Sequence, residues 1–191
     1  LDERQLHVHL RIDVSRSMAF GASDTAASKL RLAIQLAACI SWIALSSSDN
    51  VDAAPFAVSP PQPPTVARGK GGYPRLVRFL SGLEATGTSR KMEEAWSPAL
   101  LPVQAGMTWI FSDFLYESGW IPMLNALTAR GQEVVAVHML SPDEIEPDLT
   151  GDRHLRDSEF GDGKDVSITS SVLDDYRRER ARVLAQIGSD C

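Results

Sequence analysis

Apolar and polar residues alternate from position 6 to position 13: Leu6, Val8, Leu10 and Ile12 fall on one side, His7, His9 and Arg11 on the other. That period of two is the pattern of a half-buried strand. The period then changes. Residues 28–46 open on Ser28-Lys29-Leu30 and hold few polar positions, and a helix apolar on nearly every side belongs at the centre of its layer. The longest apolar run within it, 32–45, is interrupted by Gln35 and Ser41 and falls short of the roughly 20 residues that span a bilayer, which predicts a buried helix. Residues 51–58 predict a second strand. Pro60, Pro61, Pro63 and Pro64 exclude a central strand from 59–72 but leave room for a short edge strand at 65–67.

Further on, Leu76, Val77, Leu80 and Leu83 recur at helical spacing over 74–83, with Pro74 suited to a first turn. Residues 90–101 form an amphipathic stretch, 107–112 a strand, 120–130 a helix ended by Gly131, and 132–140 a core strand. After Ser141 the chain is polar to Ser171, with extended pieces at 153–160 and 165–169 that predict a hairpin-like attachment. A charged helix follows at 172–187. Strands alternating with helices predict an α/β fold with a mostly parallel sheet covered on both faces. The expected organisation is one domain, 1–191: a core at about 6–140, the attachment at 141–171 and the last helix.

Composition narrows the function classes. With 191 residues, 43% hydrophobic and 23% charged, the chain has the makeup of an ordinary globular domain. A net charge of −6 supplies no general attraction to nucleic acid or anionic lipid. Cys39 and Cys191 make neither a disulfide framework nor a zinc spacing. Cys39, inside the apolar helical run, is expected as a buried thiol in a reducing compartment, which points to the cytoplasm. The chain opens one step before a strand and stops on a cysteine, as a fragment of a longer protein would.

The candidate chemistry is Asp13-Val14-Ser15-Arg16-Ser17, a D-x-S-x-S run at a strand end. Ligands of open α/β sheets bind at the carboxyl ends of strands. One carboxylate and two hydroxyls there are hard oxygen donors suited to Mg²⁺. The same residues also serve as turn formers and helix caps. A second strand, 107–112, likewise ends on an acid, Asp113, and between the two lies Thr86-Gly87-Thr88-Ser89.

This ordered set resembles the metal-ion-dependent adhesion site of the von Willebrand factor A (vWA) superfamily. The resemblance implies a Rossmann-like three-layer fold in which Asp13, Ser15, Ser17, Thr88 and Asp113 converge on one Mg²⁺, with Mn²⁺ or Ca²⁺ as substitutes. An acidic residue of a protein partner would complete the shell. Ser15 to Gly21, Ser112-Asp113-Phe114, Arg130 to Val134 and Arg156-Asp157-Ser158-Glu159 are similar to a bacterial vWA branch often encoded beside MoxR-type AAA+ ATPases. An adaptor role for such an ATPase is what that similarity implies.

Other features default to structure. His7 and His9 share a strand face and are expected as a satisfied pair without a metal. Met18 and Phe20 either pack under the first loop or rim the site. Arg177, Arg178, Arg180 and Arg182 with Glu179 predict a solvated helix face, or a dock for an acidic partner. An enzyme is not expected: Ser15 stands where a phosphatase of the haloacid dehalogenase type has its acid/base aspartate, and no G-x-S-x-G or G-x-x-x-x-G-K-[ST] run is present. A vWA-like scaffold that binds partners without metal is the remaining alternative.

Overall fold

The computed structural model describes residues 5–21 and 28–190. In chain order the elements are β1 (His7–Asp13), α1 (Lys29–Ser46), β2 (Asn50–Phe56), β3 (Thr65–Arg68), α2 (Tyr73–Ser81), α3 (Met92–Ala95), β4 (Gly106–Ser112), α4 (Trp120–Thr128), β5 (Gln132–His138), α5 (Pro142–Ile145), β6 (Gly151–Arg156), β7 (Gly163–Ile168) and α6 (Ser170–Asp190). The main sheet has five strands in the order β3-β2-β1-β4-β5, all parallel except the antiparallel edge strand β3. A separate two-stranded antiparallel sheet is made by β6 and β7. The α/β fold with helices on both faces of a mostly parallel sheet is the one that the alternating pattern predicts.

The alternation on β1 sorts the two faces. Val8, Leu10 and Ile12 join Leu30, Ala33 and Ala37 of α1 and Leu76 and Leu80 of α2 in one cluster. The opposite cluster packs Ala54, Phe56 and Ile110 of the sheet against Met92, Ala95 and Leu100 and against Met123 and Leu127 of α4. Between β1 and β4 the strand order reverses: the chain first builds β2 and β3 on one side, then returns to build β4 and β5 on the other. That reversal opens a crevice at the strands' carboxyl ends.

Two expectations are corrected. First, α1 is not covered all round. Leu30, Ala33, Ala37, Ser41, Ala44 and Leu45 face the sheet, while Leu32, Leu36, Trp42 and Ile43 are exposed, because the helix lies on a single face of the sheet. By length and composition this helix would also suffice to cross a bilayer. Second, Cys39 sits on that outer side and is exposed rather than buried. The amphipathic stretch at 90–101 is not continuous helix. Trp96 and Ser97 are extended, and the stretch divides into α3 and a 3-10 turn at Pro98–Leu100. Pro98 excludes its predecessor from the helical region, which accounts for the break.

Candidate functional site

Asp13 is the last residue of β1, and Asp113 follows the last residue of β4, so parallel pairing of these neighbours brings both carboxylates to the crevice. Both are buried, at 0% and 2% exposure. Asp13 is held on three sides. Its Oδ1 accepts the Ser15 amide at 2.9 Å, and its Oδ2 accepts the hydroxyls of Ser112 at 2.6 Å and Tyr116 at 3.1 Å. Burial and the neighbouring charge of Asp113 push the Asp13 carboxyl up to about 7, against the hydrogen bonds from Ser112 and Ser15.

Ser15 and Ser17 lie in a 3-10 turn whose helical residues are Arg16–Ala19, with Ser15 at its start. Their hydroxyls are 3.0 Å apart. Met18 is fully buried and anchors this loop from below, whereas Phe20, 50% exposed, stands at its rim. Thr88 arrives from the second loop, and backbone pairing locates it. Gly87 donates to Val14 O and its carbonyl accepts Arg16 N–H, both at 2.9 Å. No side chain fits at position 87: a Cβ there would lie 1.7 Å from Ala57 O. Ala57 and Phe114, next to this crevice, both carry positive φ (62° and 53°), a conformation costing roughly 1–3 kcal/mol each for residues other than glycine. Such strain clusters at ligand sites more often than elsewhere. The Thr88 side chain is exposed.

Sequence reasoning missed four residues around this set. Lys29, the first residue of α1, is 2% exposed and reaches Asp113 Oδ2 at 2.8 Å and Glu144 Oε1 at 2.6 Å. Burial acts to lower its pKa, but the two carboxylates outweigh it and hold the ammonium above its usual range. Glu144 belongs to α5, whose capping box with Ser141 fixes it. Tyr116, bonded to Asp13, is the third. The fourth is Glu159, in the turn between β6 and β7. Its Oε2 accepts Ser89 N–H at 3.2 Å, and it is also hydrogen-bonded by Ser17. Burial holds the Glu159 carboxyl above its ordinary value, and the charge of Asp113 adds to the effect. None of the four follows a spacing rule: Lys29, Glu144 and Glu159 come from elements remote in sequence, and Tyr116, three residues after Asp113, joins the site through a contact 103 positions away, with Asp13. The hint for Lys29 was a lysine at the first turn of an apolar helix.

The donors suit a hard divalent cation. All are oxygens, and the Ser15–Ser17 separation matches the about 3.0 Å between adjacent ligands of an octahedron with metal–oxygen bonds of roughly 2.1 Å. The Asp13 carboxyl is raised first by its own burial and then by the charge of Asp113. Lys29 supplies part of that charge on the Asp113 side. Among the described residues no group of three or more His, Cys, Asp or Glu side chains converges as a metal cluster, so any cation here would rely on hydroxyls.

Away from the crevice, the His9 ring bonds Asp52, and its Nε2 lies 3.2 Å from Gln104 O. The pair expectation for His7 and His9 is refined: the rings stack at 6.3 Å, but the partner of His9 is an acid on β2.

A family model described as "Protein of unknown function DUF58" matches residues 1–186. The chain belongs to that family. Uncharacterised proteins of Mycobacterium bovis and Mycobacterium tuberculosis are 30% identical to it over 189 residues, covering 97% of this chain and 58% of their own length. This DUF58 chain therefore spans 58% of the length of those two relatives. An uncharacterised protein of Mycobacterium avium is 37% identical over 83 residues, 43% of this chain and 48% of that protein. Two solved structures are similar at 18% identity: a conserved hypothetical protein BatB from Bacteroides thetaiotaomicron (TM-score 0.47, 91% of this chain and 85% of that one) and an aerotolerance-related membrane protein from Bacteroides fragilis (TM-score 0.48, 91% and 87%). These two likenesses carry no argument about activity.

Proposed function

We propose that this DUF58 chain is a vWA-type interaction module that holds Mg²⁺ through Asp13, Ser15, Ser17, Thr88 and Asp113 and takes an acidic side chain from a protein partner. The observation that carries the reading is the buried Asp13–Asp113 pair at the β1–β4 crevice, with the hydroxyls of Ser15 and Ser17 3.0 Å apart beside it. A cation bound there would offer an electrophilic position to an incoming carboxylate. The chain's own residues prepare that position. Ser112, Tyr116 and the Ser15 amide orient Asp13, while Lys29 holds one oxygen of Asp113. Gly87 lets the Thr88 loop approach the end of β1. Hydroxyl ligands add no charge, so two aspartates leave the site attractive to a third acid. The partner class we propose first is a MoxR-type AAA+ ATPase, met in the cytoplasm.

Calorimetric titration with Mg²⁺ and Mn²⁺ tests the reading. Saturable binding that is lost in Asp13→Ala is the expected result. Absence of binding, with and without an acidic peptide, would overturn it.

One observation favours a second reading. The Lys29 ammonium already pairs Asp113, as an internal cation would in a scaffold that binds partners without metal. That scaffold would bind its partner equally well in a chelator.

A further inference from the structure

The turn between β6 and β7 lies over the candidate site, and its contacts are specific. Asp157 organises it: its Oδ1 accepts the amides of Glu159 at 2.7 Å and Phe160 at 3.1 Å, and its own amide donates to Asp162 O at 2.7 Å. The turn so formed presents an acid and an aromatic ring in succession. Glu159 enters the groove between the first two site loops, held by Ser89 N–H and by Ser17. The Phe160 ring lies under the Arg90 guanidinium, 4.0 Å from its carbon to the ring centroid, a cation–π contact. Arg16 Nη1 is 3.5 Å from the Glu159 carbonyl. A cavity of about 280 Å³ remains between these groups, lined also by Leu115 and Glu117.

Beyond the buried Ile168 and an Arg90–Asp162 ion pair at 3.8 Å, the strands that carry this turn have little else to hold them. Every residue of β6 is exposed, and so are most of β7. The pair is separate from the main sheet. A two-stranded hairpin alone is marginal in water. Its docking on the loops therefore rests heavily on the Glu159 and Phe160 contacts.

We propose that the β6–β7 hairpin is an internal ligand of the site, and that the partner segment displacing it presents the same chemistry, an acidic residue followed by an aromatic one. The inference rests on the reading of the site as a receiver of acidic side chains and adds what that reading lacks, a specificity and a competitor. Ser17 and Ser89 read the carboxylate, and Arg90 reads the ring. The tethered hairpin faces the groove at the millimolar effective concentration typical of a short tether, so a partner must either bind more tightly or arrive when the hairpin lifts.

The test uses a fluorescent peptide of residues 151–168, cyclised through its paired ends Gly151 and Ile168 so that the hairpin forms, and measures its anisotropy in Mg²⁺ with the wild-type chain and with a Glu159→Gln, Phe160→Ala double variant. Thermal melts confirm that the variant is folded. The peptide should bind the double variant about tenfold more tightly than wild type, as release of a tethered competitor predicts. Replacing its Glu by Gln or its Phe by Ala should abolish the gain. Equal binding to both proteins, or a peptide lacking Glu that binds as well, overturns the inference. Mg²⁺ titration of the same variant separates the two readings: cation binding without peptide binding defeats the internal ligand and leaves the metal site standing. Peptide binding that persists in chelator, without cation binding, supports the internal ligand and defeats the metal site.

Discussion

Strand β1 carries two buried polar clusters two residues apart, and they are built on opposite principles. At Arg11 the charges are matched. Its guanidinium donates to Asp52 Oδ1 at 2.6 Å, to Leu100 O at 2.9 Å and to Leu10 O at 3.1 Å, and His9 bonds the other oxygen of Asp52. Although burial alone would raise Asp52, the His9 hydrogen bond and the Arg11 charge bring it below its ordinary value. At Asp13 the charges are unmatched. Asp113 and Glu144 share the ammonium of Lys29, Asp13 is held by an amide and two hydroxyls, Glu159 lies over the same loops, and Asp13 is pushed up. A cluster that satisfies every charge fastens the sheet to its loops. A cluster left short of positive charge can accept it from outside.

The largest effects test that contrast directly. Arg11→Met strands the half-buried Asp52 and Lys29→Met the buried Asp113, and each should lower stability by about 3–5 kcal/mol in urea unfolding without metal. Mg²⁺ should restore much of the loss in Lys29→Met and none in Arg11→Met. Equal behaviour of the two variants in Mg²⁺ would erase the distinction.

The pH responses should have opposite signs. Asp13, with its folded value raised to about 7, binds its proton more readily in the folded chain. Its effect on the metal-free protein is a loss of stability as pH rises from the unfolded-chain value near 4 towards 7, amounting to a few kcal/mol. Asp52, lowered in the folded state, contributes stability that is full above its unfolded-chain value and lost as pH falls through the folded one. Unfolding midpoints measured from pH 3 to 8 should show both limbs, with Asp13→Asn removing only the upper one.

A smaller loss, about 1–3 kcal/mol, is expected for Gly87→Ala, since the second loop must back away from Ala57 and Val14. Cation affinity, read by calorimetry, should fall with it. Tyr116→Phe should have the smallest effect, about 1 kcal/mol or less, from one hydrogen bond to Asp13.

Much of this was legible beforehand because it was local. Alternation on β1, the apolar run of β4 and the strand-end acids locate Asp13 and Asp113, since a parallel sheet gathers the carboxyl ends of its strands. The D-x-S-x-S spacing carried Ser15 and Ser17. Lys29, Glu144 and Glu159 were not legible as site residues. Their meaning lies in contacts spanning 84, 115 and 70 positions, which no periodicity encodes. The exposure of Cys39 escaped for a related reason: an apolar helical run does not say which of its sides the sheet will cover.

By itself, then, the sequence determined the kinds and order of the elements, the parallel sheet and the chemical type of the candidate donors. These follow from backbone period, turn chemistry and side-chain identity, all short-range properties. Only the tertiary structure decided which charges meet: that Arg11 is answered by Asp52, that Asp13 faces Asp113 while one lysine pairs Asp113 and Glu144, and that a hairpin acid lies over the hydroxyl loop. Coulomb interaction and burial depend on distance in space, and the fold alone sets those distances.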